Sequence, residues 1–463
     1  MAEPRYSYEK PSPTDFDRFL PWACNQLCEE ATVVVTKTIL ADYVSVVASE
    51  RLRQGKGKPK PPKPPATGES GSDDHHSEGD SLTRAIKNDL IIHIESIYDG
   101  SNNLTHIKFH NNAPIPRSVM KIIGLIIKFH PMLTMITIDS GLQMQAMYEI
   151  AKFLPLSKIT EICMDYTFLR EANYHLLLDH KGLKHLSISK CRITDSVLKN
   201  ICNKLVFPNV ACKTLHALNV SSNRITDAGM KYIADMLRSN RNLSYLNLAD
   251  NKITDTGAKY VLDCLGEFPL RPSELLEKRT RHLIYLKERK EMMDKTVQEL
   301  RLNEYEKKMG RRKSAKPTVS LKKKDKEAEG SKSLSYVESI YFEKAESIVD
   351  SILGHFMDPF SPDDTFHRDG EIYCYGNNTL SYLNIAYNNL SYFSVKQLYQ
   401  VIVTQKYLAR KPRGLVNVVI EGNYLPAQCE EFRLIDEILE SSLPNYNRKM
   451  SSIASSKKRM SVK

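Results

Sequence analysis

Apolar and polar positions in this chain alternate in short runs. Each clear run is followed, about a dozen residues on, by apolar positions at helical spacing. The two plainest runs are Leu215-His-Ala-Leu-Asn-Val220-Ser-Ser-Asn223-Arg-Ile225 and, 28 residues later, Leu243-Ser-Tyr-Leu-Asn-Leu248-Ala-Asp-Asn251-Lys-Ile253. Alternation predicts a short strand with two apolar side chains on one face and the intervening residues on the other. Where the alternation stops, Asn223 and Asn251 stand in a turn, and an Asn side chain there can satisfy backbone groups that the turn leaves unpaired. Both runs continue as Thr-Asp-x-Gly, ending at Gly229 and Gly257. The stripes Tyr232, Ile233, Leu237 and Tyr260, Val261, Leu265 then predict one buried helix face each.

Fainter copies extend the pattern both ways. Upstream they are Leu104–Asn112, Leu133–Gly141, Ile159–Thr167 and Leu183–Cys191; downstream, Leu380–Asn388 and Leu415–Asn423. The eight copies begin 24 to 35 residues apart, except for a gap of 137 residues between Leu243 and Leu380. This is the leucine-rich repeat pattern, in which each unit buries its apolar face only by stacking on its neighbours. A period near 28 with a full helix resembles the ribonuclease-inhibitor class of such repeats. The predicted fold is α/β: a horseshoe solenoid with parallel strands on the concave face and helices outside, interrupted by a charged helical and disordered insertion. Asn112, Cys191, Asn223, Asn251, Asn388 and Asn423 would form a structural ladder of turn residues, with Cys an alternative to Asn.

Six segments follow. Residues 1–53 read as a helical cap or a partner-binding segment, with a helix over 12–53 carrying Phe16, Phe19, Leu20, Trp22, Ala23 and Leu27 at helical spacing. Residues 54–81 are a linker, first Pro/Lys-rich and extended, then Gly/Ser/Asp-rich and unable to order itself. Residues 82–270 hold copies one to six. Residues 271–364 are the insertion: a charged helix over Glu274–Tyr305, a basic disordered stretch from Gly310, and an amphipathic helix over 334–357. Residues 365–443 hold copies seven and eight with a C-terminal cap, and 444–463 form a basic disordered tail.

Charge changes the picture once it is located. The net charge is +11, but residues 51–65, 307–332 and 448–463 together carry +20, leaving −9 for the remainder. The array is thus acidic and the connecting segments basic. The nine cysteines show no paired CxxC spacing, which points to a reducing compartment rather than a disulfide or zinc framework. The start, Met1-Ala-Glu-Pro-Arg, lacks the apolar stretch of a secretory signal. The longest apolar run, Ile122–Ile127, is too short to span a bilayer. These readings predict a soluble cytoplasmic protein. No Gly-rich phosphate loop, HExxH or GxSxG is present, so no catalytic, cofactor-binding or metal-ligating residue is assigned and the chain reads as a non-enzyme. The candidate protein-binding surface is the concave face, at Asp139, Glu161, Asp165, His185, Asn219, Tyr245, Asn247, Tyr382 and Asn384. There an acidic group adjoins small residues and two tyrosines, a residue type favoured as an interface anchor.

Leu218–Leu243 and the copy from Leu246, with His367-Arg-Asp-Gly370, Gly376-Asn, Leu383-Asn-Ile-Ala-Tyr-Asn and Glu421-Gly-Asn-Tyr-Leu-Pro-Ala-Gln-Cys429, resemble the leucine-rich repeat-containing protein 71 family. The resemblance covers roughly residues 180–270 and 365–430, and the N-terminal third departs from it. It implies a non-enzymatic scaffold in cilia or flagella, with an axonemal protein partner and with the basic segments meeting an acidic surface such as tubulin tails. The alternative is a soluble regulator of a small GTPase acting through the concave face. Nucleic-acid or membrane binding through residues 307–332 and 448–463 ranks last, because charge runs are commonly solvated linkers. Ser314 and Ser461 stand in basic contexts that suit phosphorylation.

Overall fold

The computed structural model describes residues 10–27, 31–40, 90–110, 114–313, 330–426 and 429–441, of which 307–313 and 330–337 in backbone only. The linker 54–81, the tail 444–463, Ser314, Ser461 and Asn112 lie outside the described residues. The elements in chain order are α1 (Phe16–Leu27), β1 (Ala31–Ile39), β2 (Leu90–Tyr98), β3 (Leu104–Phe109), α2 (Arg117–Ile126), β4 (Met135–Ile138), α3 (Met144–Phe153), β5 (Glu161–Cys163) and β6 (His185–Ser187). Then come α4 (Asp195–Leu205), β7 (Ala217–Asn219), α5 (Asp227–Ser239), β8 (Tyr245–Asn247), α6 (Asp255–Leu265), β9 (Phe268–Pro269), α7 (Pro272–Lys313) and α8 (Gly330–Leu353). The chain continues through β10 (Thr365–Arg368), β11 (Glu371–Cys374), β12 (Tyr382–Asn384), α9 (Tyr392–Leu408), β13 (Asn417–Val419) and α10 (Glu430–Ser441). It divides into two compact units, residues 1–266 with 376–463, and residues 267–375.

The first unit is a leucine-rich-repeat solenoid. Among the described residues, its ten-stranded sheet runs β1-β2-β3-β4-β5-β6-β7-β8-β12-β13, and β3 to β8, β12 and β13 are the eight predicted copies. Every neighbouring pair is parallel except β2–β3. The second residues of the strands stack in register as Leu186, Leu218, Leu246 and Leu383, and all four are buried. Val220, Leu248, Ile253, Ile233 and Val261 complete a continuous apolar layer between sheet and helices. Copy three is shorter than the rest, with 24 residues from Ile159 to Leu183. That length leaves room for a 3-10 segment at Tyr174–Asp179 instead of a helix. Buried Tyr174 fills the space, donating its hydroxyl to the Thr167 carbonyl at 2.5 Å and accepting from the Leu169 N–H at 3.2 Å.

The 137-residue gap does not break this sheet. Tyr245, Leu246 and Asn247 pair directly with Tyr382, Leu383 and Asn384. On the helical side, the Asn377 N–H donates to the Cys264 carbonyl at 2.9 Å. Gly376, at φ +94°, lies so close to Gly266 that a Cβ would run into the carbonyl oxygens of Leu265 and Gly266. The two ends of the insertion meet, and only glycine fits their approach.

One expectation at the N-terminal edge fails. The helix predicted over 12–53 ends at Leu27, and residues 31–39 form β1. The run Thr32-Val33-Val34-Val35-Thr36 is β-branched, and such side chains are restricted in helices and pack well on a pleated surface. The region before the first copy holds a further strand, β2, antiparallel to β3. Its turn is fixed by Asp99, whose carboxylate accepts from the N–H groups of Ser101 and Asn103 at 2.9 and 2.8 Å. The buried residues of α1 are Phe16, Leu20, Ala23 and Cys24, and Asp17 accepts from Ser96 Oγ at 2.5 Å and Tyr98 Oη at 3.0 Å. This burial inside the unit favours the cap over a partner-binding helix.

The second unit also differs from the predicted insertion of residues 271–364. It extends over 267–375 and takes in the β10–β11 hairpin, which had been assigned to the resumed array. β11 pairs with β9 on its other side. Helix α7 continues through Gly310 to Lys313, where a disordered stretch was predicted to start. Helices α7 and α8 run antiparallel, joined by Arg301–Glu338 at 3.1 Å, Arg289–Glu346 at 2.7 Å and Arg289–Asp350 at 3.0 Å. Arg281 reaches Asp358, just beyond α8, at 2.7 Å.

Candidate functional site

The open face of the sheet collects the predicted binding residues into two rows. The first residues of successive strands, Glu161, His185, Ala217, Tyr245 and Tyr382, are register partners. So are the third residues, Cys163, Ser187, Asn219, Asn247 and Asn384. Asp139 and Asp165 stand just past the ends of β4 and β5.

The acidic group is not bare. Asp139 pairs with Lys108 at 3.7 Å, and Glu161 Oε1 lies 3.2 Å from His185 Nδ1. Asp165 accepts from Ser187 Oγ at 2.6 Å and from the Ser189 N–H at 2.7 Å. The same network runs on through Asn219 Nδ2 to Ser187 Oγ at 2.9 Å. Asn219, Asn247 and Asn384 each use Oδ1 to hold the N–H two residues ahead, at 3.1, 3.1 and 3.0 Å. The polar side chains of the face are therefore fixed before any ligand arrives. The acidic group of the candidate face thus stands with partners already at hand.

The apolar content of the face is more available. The rings of Tyr245 and Tyr382 stack at 4.2 Å, 6° from parallel. Beside Tyr245 lies a depression of about 300 Å³ lined by Met135, Ile162, Cys163, Leu186 and Ala217, with Glu161, His185, Ser187 and Asn219 at its edge. Burial pushes the Cys163 thiol up to about 11, so it stays protonated at neutral pH and is a poor nucleophile. Ser187 donates its hydroxyl to Asp165 rather than to an imidazole. Among the described residues, no group of three or more His, Cys, Asp or Glu side chains is placed to hold a metal ion, and no helix is long and apolar enough to cross a membrane.

The ladder residues lie behind this face. Asn223 Oδ1 accepts from the N–H groups of Cys191 and Ile193, both at 3.0 Å, while its Nδ2 donates to the carbonyls of Ile188, Val220 and Ser221. Asn251 serves Ile225 N–H and three carbonyls in the same way. Asn388 then binds Asn251 and Ile253 across the insertion, and Asn423 binds Asn388 and Leu390. Cys191 donates its thiol to the Met164 and Ser189 carbonyls, and burial pushes that thiol up to about 12.

A second ladder was missed. Asp195 accepts from the N–H and hydroxyl of Thr226, Asp227 from those of Thr254, and Asp255 from those of Ser391. A Cβ at Gly229 would meet the Asp195 carboxylate, and one at Gly257 the Asp227 carboxylate. The repeated Thr-Asp-x-Gly was the signal: Thr donates to the previous repeat, Asp accepts from the next, and Gly makes room. A third row escaped notice because its residue type changes. Asn240 Nδ2 donates to the Leu205 carbonyl, Asn377 Nδ2 to those of Leu237 and Asn240, and Gln405 Nε2 to that of Leu265.

A family model described as "Leucine Rich repeat" matches residues 211–234 and 239–262. No curated protein matches the chain. Among solved structures, the chain is similar to the crystal structure of an internalin (inlF) from Listeria monocytogenes, at 11% identity and a TM-score of 0.30, over 73% of this chain and 62% of the internalin. The chain thus spans less than two thirds of that protein's length.

Proposed function

We propose that this protein is a non-enzymatic interaction scaffold that receives a protein partner on the open face of its sheet, as a structural or assembly component of cilia or flagella. The observation that carries the binding reading is the Tyr245–Tyr382 stack beside the apolar depression. Two aromatic anchors and a small pocket stand among polar groups that are already fixed, so little side-chain freedom is lost on docking. The ciliary assignment rests on the resemblance to the leucine-rich repeat-containing protein 71 family. In this reading the partner is axonemal, and the basic segments meet acidic tubulin tails.

Site-specific photocross-linking in ciliated cells tests it. A benzophenone residue at Ala217, on the face, should give a defined adduct that disappears with Tyr245→Ala/Tyr382→Ala. One at Lys231, on helix α5, should not give that adduct. The tagged chain should stay on demembranated axonemes. An adduct from Lys231 alone would refute the face as the binding surface. Complete detergent extraction with a small GTPase as the adduct would replace the axonemal reading with the soluble regulator.

A further inference from the structure

The turns that follow the strands carry a second surface, separate from the open face. The residue just after each ladder position is Arg192, Arg224 and Lys252 in copies four, five and six. Their backbones run side by side: the Arg224 N–H donates to the Ile193 carbonyl at 2.9 Å, and the Lys252 N–H to the Ile225 carbonyl at 2.8 Å. All three side chains are exposed. Among the described residues none of the three forms an ion pair, unlike the basic residues of the α7–α8 hairpin. Lys190 extends the row, its Nζ donating to Tyr166 Oη at 2.7 Å and lying 4.5 Å from that ring. The Arg192 guanidinium sits 5.1 Å from the ring of Phe168. Both aromatic rings are more than half exposed.

Two of these cations are held at a conformational cost. Lys190 and Arg192 both have φ +57°, a region that non-glycine residues enter at roughly 1–3 kcal/mol each unless the surroundings impose it. Positive φ recurs at the position of Lys190 in the neighbouring turns, at Tyr166, Ser222 and Asp250, so the repeat sets the backbone there and the sequence sets the side chain it carries. In these turns Asp250 is the nearby exposed carboxylate, while those of Asp195, Asp227 and Asp255 are turned onto Thr226, Thr254 and Ser391.

We propose that Lys190, Arg192, Arg224 and Lys252 form a docking row for an acidic segment of a partner protein. Paired backbones place Arg192, Arg224 and Lys252 of adjacent copies about 5 Å apart, while Lys190 stands two residues before Arg192 in the same turn. An extended chain presents alternate side chains about 6.6 Å apart, and the long Arg and Lys side chains close the difference, so glutamates at every second position can each meet one cation. Nucleic acid fits less well, because its affinity comes from neutralising many phosphates and the row offers four cations with the exposed Asp250 beside them. The row does not depend on the open-face reading.

The test titrates the full chain with a fluorescein-labelled peptide of ten glutamates at low salt. The triple variant Arg192→Ser/Arg224→Ser/Lys252→Ser should bind at least tenfold more weakly. A control removing three exposed lysines elsewhere, Lys181→Ser/Lys184→Ser/Lys231→Ser, should lose less than twofold, which separates the row from general charge attraction. The single variant Arg224→Gln, checked for an unchanged melt, should lose two- to threefold. Tyr245→Ala/Tyr382→Ala should leave peptide affinity unchanged. Equal losses in the triple variant and the control, no loss in either, or a loss with the tyrosine variant would each overturn the proposal. So would displacement of the peptide by a ten-nucleotide thymidine strand at a lower concentration than unlabelled peptide requires.

Discussion

The repeat array and the inserted unit are held together by different interactions. In the array each of the repeat strands β5 to β8 and β12 buries one apolar residue at its centre. From copy four onward each turn is tied to the next by Asn223, Asn251, Asn388 or Asn423, each serving several backbone groups at once. In the inserted unit, α7 and α8 meet through arginine–carboxylate pairs, while Leu276, Leu283, Ile284 and Leu302 of α7 remain exposed. The first arrangement tolerates no change of register, since every apolar position has a fixed neighbour. The second buries only a few apolar side chains, Val297, Ala345, Val349 and Phe360 among them, and adds charge pairs along a long helix pair. A repeat pattern therefore announces itself in the sequence, whereas the partner of a charged helix does not.

Five substitutions sharpen that contrast. The largest effect should come from Leu248→Ala, in the array core and 0% exposed, which should lower the array's unfolding free energy by about 2–5 kcal/mol. Leu283→Ala, 59% exposed on α7, should change the inserted unit by no more than about 0.5 kcal/mol. Denaturant titration followed by circular dichroism reads both, and equal losses would erase the distinction.

Next is Arg281→Ala in the inserted unit. It strips the ion-pair partner from Asp358, whose side chain is 1% exposed. Among the described residues only the Phe360 N–H then holds that buried charge, a loss that should cost on the order of 3 kcal/mol. Hydrogen exchange along α7 and α8 would show the loosening, and unchanged protection would mean that the ion pair is dispensable. Asn251→Ala should cost the array about 1–3 kcal/mol, because Ile225 N–H and three carbonyls lose a partner. A melt matching the parent would refute the ladder's role.

The smallest effect concerns pH. Burial raises the Asp255 carboxyl pKa, but hydrogen bonds from Ser391 and Ser394 outweigh it and hold the group below the usual carboxylate range. A depressed folded-state pKa stabilises the fold above the unfolded value, near 4, and that contribution is lost as pH falls through the lower folded value. Asp255→Asn should therefore flatten the array's stability profile on the acid side of pH 4 in urea melts. An unchanged slope would assign the acid sensitivity to other groups.

Legibility followed the same divide. Copies five and six were readable residue by residue because LxLxxN leaves each position one physical task, and Leu218, Leu246, Asn223 and Asn251 perform it. The rows of the open face were readable too, since alternation alone places Glu161, His185, Tyr245 and Tyr382 on one side. Their interactions were not: that Glu161 meets His185, or that Asp165 holds Ser187, depends on side-chain reach across strands 22 to 24 residues apart. The strand β1 is hidden in the sequence because its apolar residues follow directly on a helical pattern, and only the β-branching of Thr32 to Thr36 separates it from that helix. The β10–β11 hairpin was misassigned because its sequence neighbour is copy seven while its strand partner is β9, about a hundred residues back.

The array is continuous across its insertion. Excision of residues 267–375, joining Gly266 to Gly376, tests it most directly, with urea unfolding of the shortened chain as the measurement. The account predicts a cooperative transition with the array's midpoint retained, and the same loss on Leu248→Ala as in the full chain. A shortened chain without a cooperative transition, or one indifferent to Leu248→Ala, would contradict it.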